Sequence, residues 1–354
     1  MAIARDVRNI GTLMQVNPLG LFLITISAIA GGGIALPLKK RRTFELENIY
    51  VLSTALAMVI LPLTAGAVVA PQWLPALRAV GIQDLTVAAA FGIGWGAGGV
   101  LFGYGVNEIG MSIGYSAIMG ANIGFGALIP LLVNTPVKLL ESHTLMILLG
   151  IAGCVVGVII CGRARCSYDS EALKSPTHRR LGMGLAICIA SGALSSCANL
   201  GFTSNHKASV EAERLGTDPA FSSLVSWLPV LWGASIFLFV WFGGLQVRNK
   251  TWHKYLDPAA AHDWAMSITM GILSFLAAIL YGIGANLWGR FGSSVGWALA
   301  MALTVISANV FGFLTHEWTA VTKRVKSTLY IGLAVIIGSV VLLAAANASM
   351  NRTW

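Results

Sequence analysis

The sequence predicts an all-α integral membrane protein of ten transmembrane helices arranged as an inverted 5+5 repeat. Three observations carry that prediction. The 354 residues are 56% hydrophobic and 10% charged, with a mean hydropathy of +0.77. Soluble domains average about 25% charged residues, so this chain has too little polar surface to face water. The apolar residues fall in ten continuous runs, each near the roughly 20 residues that cross a bilayer as a helix. Finally, the chain repeats itself. Gly110-Met111-Ser112-Ile113-Gly114 returns as Gly292-Ser293-Ser294-Val295-Gly296, and the same separation of 182 residues relates Gly150 to Gly332.

The ten runs can be taken in order. Span one, 17–38, opens with Gly20-Leu21 and carries Ser27. Its Ala28-Ile29-Ala30 mimics a signal-peptide cleavage site, but the run is long for such a segment and further spans follow. Span two, 47–70, holds Pro62, which frees a backbone carbonyl and bends a helix. Span three, 84–106, contains Gly94-Trp95-Gly96-Ala97-Gly98-Gly99. This matches a phosphate-cradling pattern formally, yet it lies inside an apolar run, where small residues serve close helix packing. Span four, 111–134, has Gly120 and Gly124 for the same purpose, and span five is 143–162.

Residues 163–180, with Arg163, Arg165, Asp169, Glu171, Lys174 and Arg179, make the largest break in composition. They divide the chain into a first five-helix repeat (1–162), a cytoplasmic inter-repeat loop (163–180) and a second five-helix repeat (181–354). An odd number of spans per half inverts the second copy, as in many secondary transporters. Span six, 181–203, echoes span one with Gly184-Leu185 and Ser191. The polar stretch 204–220 reads as a short amphipathic extension ended by Gly216-Thr217-Asp218-Pro219. Span seven, 221–243, carries Pro229 where span two has Pro62; spans eight, nine and ten are 264–288, 293–314 and 326–347. Strands of a membrane barrel would show shorter, alternating segments.

The net charge of +9 is topogenic and does not point to nucleic acid, because the basic residues sit in short loops. One side collects 15 of the 23 Lys and Arg, and Lys39-Lys40-Arg41-Arg42 and the 163–180 loop carry most of that bias. That side is expected to be cytoplasmic, which leaves both termini periplasmic. The five cysteines lack zinc-like spacing and read as buried thiols.

Both Gly-x-Ser-x-Gly copies match the nucleophile elbow of hydrolases. That chemistry needs a strand–turn–helix with a base and an oxyanion hole, whereas each copy here joins two membrane helices. The expected role is a tight hairpin, with Ser112 or Ser294 capping the next helix. His, Asp and Cys do not cluster at one membrane face, so the reading is a non-enzyme with no metal and no cofactor.

Uncharged polar groups inside spans suggest a binding centre. Asn122, Asn199, Asn286 and Asn309 bring amides; Tyr115, Ser116, Thr304 and Ser307 bring hydroxyls; Trp95, Tyr104, Trp227, Tyr281 and Trp297 bring ring faces. A neutral polyol takes such a mixture, amides for its hydroxyls and a ring for its C–H face. The same groups also serve as interhelical bonds and interfacial anchors. From this set Trp95, Tyr115, Asn122, Asn199, Trp297 and Asn309 are selected as candidate substrate ligands. No span centre carries a charge, which argues against a strongly ionic substrate. Proton-coupling candidates therefore lie near span ends: His206, Glu108 and Asp218 foremost, with Glu141, His143, Asp263, His316 and Glu317 beside them.

Trp95-Gly96-x-Gly98, then Gly103 and Gly110-Met111-Ser112-x-Gly114, resemble the L-rhamnose–proton symporter family of the drug/metabolite transporter superfamily. Pro37-x-Lys39-Lys40, Gly216-x-Asp218-Pro219 and Glu317-Trp318 extend the resemblance over nearly the whole chain. It implies a drug/metabolite transporter-like fold and proton-coupled uptake of a small sugar across a bacterial inner membrane. The sequence departs from the family pattern at Gly99 and Leu101, where members carry asparagines, and at Leu299, Ala300 and Met301, where they carry a polar, His-containing stretch. The implied substrate is accordingly a rhamnose-like deoxysugar or related polyol. Expected partners are that sugar, a proton and the lipid bilayer, with the protein as monomer or homodimer. An exporter, exchanger or uncoupled facilitator on the same fold is the alternative.

Overall fold

A computed structural model describes residues 17–109, 111–134, 142–172, 181–288, 292–315 and 322–350. Among them, ten helices are long and apolar enough to cross a membrane: Pro18–Lys39, Leu46–Val69, Ile82–Ile109, Gly114–Val133, Thr144–Ala164, Gly182–Arg214, Pro219–Asn249, Pro258–Leu287, Val295–Leu314 and Lys323–Ala346. They are spans one to ten. In lipid every backbone amide must bond within its own segment, which is why apolar runs of this length become helices.

Local chemistry sets the ends. The Asn17 carboxamide oxygen accepts from the amides of Leu19 (3.1 Å) and Gly20 (3.3 Å), and Pro18 stands where its missing N–H costs nothing. Span two starts with a capping box between Glu45 and Asn48. Asp218 caps span seven by accepting from Ala220 N at 2.8 Å, followed by Pro219. Span seven ends at Lys250, whose φ of 55° is left-handed.

The spans are not uniform rods. Pro62 follows a π-helical turn, Ala55–Ile60, in which the hydrogen-bond ladder is re-routed around the proline. Span six is three pieces, Leu181–Ser195, Cys197–Ser204 and His206–Arg214, broken at Ser196 and Asn205. The last piece is the expected amphipathic extension. The helix of span five continues to Ala172, into the segment read as the inter-repeat loop; residues 173–180 of that segment lie outside the described residues. A short helix, Trp73–Val80, which sequence reading did not anticipate, sits between spans two and three.

Ser294 requires a correction. It occupies the position before Val295–Leu314, but its hydroxyl makes no capping bond, because its backbone is already helical (φ −96°, ψ −63°) where a cap needs an extended one. The Ser112 side chain and Gly110 are outside the described residues. Gly292 does make the hairpin tight: a Cβ there would fall on the Ala285 carbonyl.

Packing follows a pattern. Span five lies against span ten, span three against six and seven, span eight against one and two, span four against five, six and nine, and span nine against one and ten. The small residues sit at these crossings. Gly157 faces Ile336, where a Cβ would come within 2.5 Å of Cγ1, and Gly332 faces Cys161. Gly96 lies on the Ala234 carbonyl and Gly98 on Ser195, so these two are packing contacts, whereas a Cβ on Gly99 or Gly103 would touch nothing within 4 Å. Gly120 meets Val155 of span five, whereas a Cβ on Gly124 would touch nothing within 4 Å. Cys154, Cys161 and Cys188 are buried free thiols and Cys197 is half-buried. Span one is built into the bundle through Ile24, which is fully buried against spans eight and nine.

Candidate functional site

At the bundle centre five spans converge on a chain of aromatic rings. Trp95 of span three lies 6.3 Å from Trp227 of span seven. Trp227 stacks on Phe202 of span six at 4.9 Å. Both approach Tyr281 of span eight, at 6.3 Å and 5.9 Å, and Tyr281 meets Trp297 of span nine edge-on at 5.2 Å. Such edge-to-face and offset pairs favour one fixed arrangement of the rings.

Polar groups thread this cluster. Asn199 is fully buried. Its amide donates to the carbonyls of Gly126 (2.8 Å) and Ser293 (2.6 Å), and its carbonyl oxygen accepts from the Tyr281 hydroxyl at 2.6 Å. One side chain thus ties span six to span four, span eight and the hairpin that carries the second Gly-x-Ser-x-Gly copy. The break at Ser196, just before Cys197–Ser204, turns this residue inward.

Asn122 is buried as well, but its bonds are incomplete. Its amide reaches the Met301 sulfur at 3.5 Å, a weak acceptor, and its Oδ1 has no protein partner. Trp297 Nε1 donates to the Asn122 backbone carbonyl at 3.2 Å. On span seven, Ser223 Oγ and Trp227 Nε1 are buried without a partner, and both border Gly282 of span eight. Buried polar atoms are nearly always bonded; Asn205 Oδ1, Thr217 Oγ1 and Gln246 Oε1 are likewise unpartnered, away from this ring cluster.

The selected residues separate accordingly. Asn122 and Trp297 touch directly, Asn199 joins them through Tyr281 and Gly126, and Trp95 joins through Trp227. Tyr115 pairs with Phe102 at 6.0 Å, on the rim of the same core. Asn309 donates to Val305 O, one turn back on its own helix, at 2.8 Å. Asn286 donates to Ser209 Oγ at 3.3 Å. Phe202 and Ser223 escaped sequence reading. Ser223 stands four residues before Trp227 on one helix face, a spacing that could have found it; nothing local distinguishes Phe202.

Leu299 and Ala300 are fully buried and belong to the apolar core. His206, Glu108 and Asp218 are exposed, and Asp218 is spent on capping span seven. Glu141, His143, His316 and Glu317 lie outside the residues whose side chains are described. No group of three or more His, Cys, Asp or Glu that could hold a metal occurs among the described residues. A groove of about 520 Å³ along Lys323, Lys326, Ser327 and Tyr330 lies on the outer face of span ten, away from the centre.

The chain was compared with known proteins. A family model described as L-rhamnose-proton symport protein matches residues 14–349. An L-rhamnose-proton symporter of Shigella sonnei is 24% identical over 327 residues, covering 90% of this chain and 95% of the relative. Another from Klebsiella pneumoniae is 25% identical over 330 residues, with the same coverage.

Proposed function

Because the chain belongs to the L-rhamnose-proton symport protein family, we propose that it imports L-rhamnose or a related deoxysugar or polyol together with a proton, by alternating access. The family is one of transporters and not of enzymes. The observation that carries the substrate class is the centre itself. Asn122 Oδ1, Ser223 Oγ and Trp227 Nε1 are buried polar atoms without protein partners, set beside ring faces. A sugar hydroxyl can donate to Asn122 Oδ1 or accept from Trp227 Nε1, while its C–H face lies on the Trp95 ring. Asn199 and Asn309, whose amides are taken by protein carbonyls, act as framework, and Tyr115 closes the rim.

The inverted 5+5 repeat, with units 1–162 and 181–354, is part of the same reading. In support, exchanging the halves relates the main packings to one another: three-on-six becomes eight-on-one, four-on-six becomes nine-on-one, and five-on-ten becomes itself, although the packing of span seven on eight has no comparable counterpart between spans two and three. Ser27 of span one donates to Ala277 O of span eight at 2.6 Å, and Ser191 of span six donates to Gly98 O of span three at 2.8 Å. Two halves that rock about a shared centre give alternating access. The fold is then drug/metabolite transporter-like and the membrane a bacterial inner membrane. The basic loops face the cytoplasm, and both termini face the periplasm.

Uptake by proteoliposomes tests the reading. Labelled L-rhamnose accumulates inside vesicles given an inward proton gradient, and a protonophore abolishes the accumulation. Failure of rhamnose and a panel of deoxysugars and polyols to accumulate under that gradient overturns it. Downhill entry that a protonophore leaves unchanged identifies a facilitator.

A further inference from the structure

We propose that Glu47 is the group that carries the coupled proton, and that its ionisation state latches one end of the pathway between spans two and seven. The proposal rests on the symport reading above.

Among the described residues only two carboxylates are buried, Glu47 and Asp263. Asp263 is committed. Its oxygens accept from the amides of Arg42 (2.8 Å), Thr43 (2.5 Å) and Phe44 (2.9 Å), which staples the basic loop to span eight. With three amides bound, Asp263 is a structural staple of the loop.

Glu47 is held differently. It is 5% exposed, on the first turn of span two. Its Oε1 accepts from Asn249 Nδ2 at 3.0 Å, at the end of span seven, and from Thr251 Oγ1 at 3.2 Å, in the turn that follows. Both donors are neutral, and Oε2 accepts from no described residue. The carboxyl is thus buried at the junction of spans two and seven and held by neutral donors alone. A protonated Glu47 also needs an acceptor for its new O–H. Gln246 Oε1, one turn before Asn249, is a buried acceptor without a partner.

The surrounding charges are engaged elsewhere or exposed, Arg41 being exposed and acting on the adjacent Glu45. Lys254 pairs with Glu45 at 2.6 Å. The Tyr255 hydroxyl donates to Asn48 O and accepts from Gln246 Nε2. His253 bonds Lys250 O, and His262 bonds Lys40 O. Arg248 and Lys250 are exposed. Span eight contributes Asp263, described above.

The latch follows from position. Spans two and seven meet at this end through the Glu47 bonds and the Tyr50–Phe242 ring stack at 4.5 Å. Bonds to a charged acceptor are roughly twice as strong as neutral ones. Proton uptake on Oε2 weakens both and lets the helix ends part; proton release re-forms them. The proton moves to and from the carboxylate, and no other bond changes.

The test uses wild-type and Glu47→Gln protein in proteoliposomes with a trapped pH dye. L-Rhamnose added to wild type acidifies the vesicle lumen as sugar and proton enter together. In Glu47→Gln this sugar-dependent proton movement is lost, while rhamnose still stabilises the protein thermally and sugar-for-sugar exchange persists. Proton movement retained in Glu47→Gln overturns the proposal. Wild type that moves no protons with sugar overturns the symport reading instead. Should Glu47→Gln fail to fold, Thr251→Val decides. That variant removes one donor to the carboxylate, so the pH profile of rhamnose uptake changes, and a profile identical to wild type overturns the proposal.

Discussion

The Tyr281 hydroxyl donates to the Asn199 carboxamide at 2.6 Å, among the buried rings of Phe202, Trp227 and Trp297. That single bond closes a loop from span eight through span six to spans four and nine. Tyr281→Phe removes the donor and leaves Asn199 Oδ1 buried and unpaired. The expected cost is about 1–3 kcal/mol, read as a lower unfolding temperature in detergent. Because Phe keeps the ring contacts with Trp297 and Phe202, the protein still assembles. An unchanged midpoint would mean that the bond contributes nothing.

Asn122 should behave in the opposite way. Its Oδ1 has no partner to lose, and its amide meets only a sulfur. Asn122→Leu is expected to leave the unfolding temperature nearly unchanged and to weaken rhamnose binding about tenfold, the loss of one good hydrogen bond. Thermal stabilisation by graded rhamnose reads both quantities on one sample. Equal stabilisation of variant and wild type would remove Asn122 from the site.

Ser27 and Ser191 make matching bonds from spans one and six to carbonyls of spans eight and three. If the halves are related by an inverted repeat, Ser27→Ala and Ser191→Ala lose the same interaction in equivalent places. Each is expected to cost about 1 kcal/mol, and the two costs should add, since the sites share no partner. Unequal or strongly non-additive losses in unfolding experiments count against the symmetry.

At the basic end, the bond and charge of Lys254 hold the Glu45 carboxyl below its ordinary range. A lowered folded pKa means stability that is present above the unfolded value of about 4.3 and lost as pH falls through the folded one. The pair is half exposed, so its worth is about 0.2–1 kcal/mol. Lys254→Met should therefore lower the unfolding temperature slightly at pH 7, and the difference should vanish near pH 3. A difference that persists in acid assigns the loss to the Lys254 stem and not to its charge.

The spans themselves were legible because helix formation in lipid is a local matter. An apolar run of sufficient length must bond its own backbone and expose apolar side chains, and neither demand consults the rest of the chain. The ten runs and the amphipathic extension at His206–Arg214 agree with the helices on that account. The glycines at 96, 98 and 120 were readable as packing residues for the same reason, since small residues mark close crossings whichever helix is crossed, whereas Gly99 and Gly124, read alike, face open space.

Site membership depended on what lies across each crossing. The amides of Asn122, Asn199 and Asn309 look alike in the sequence. Tertiary structure gives the first an unpartnered oxygen, the second three bonds to three other segments, and the third a carbonyl on its own helix. Glu47 sits at a span boundary like the exposed Glu108, and only the approach of Asn249 and Thr251, some 200 residues onward, buries it. The sequence by itself determined which segments enter the membrane and which residue types they carry. The pairing of those segments decided which polar groups are satisfied and which remain for a sugar or a proton, because hydrogen-bond satisfaction in an apolar interior belongs to pairs of groups and not to single residues.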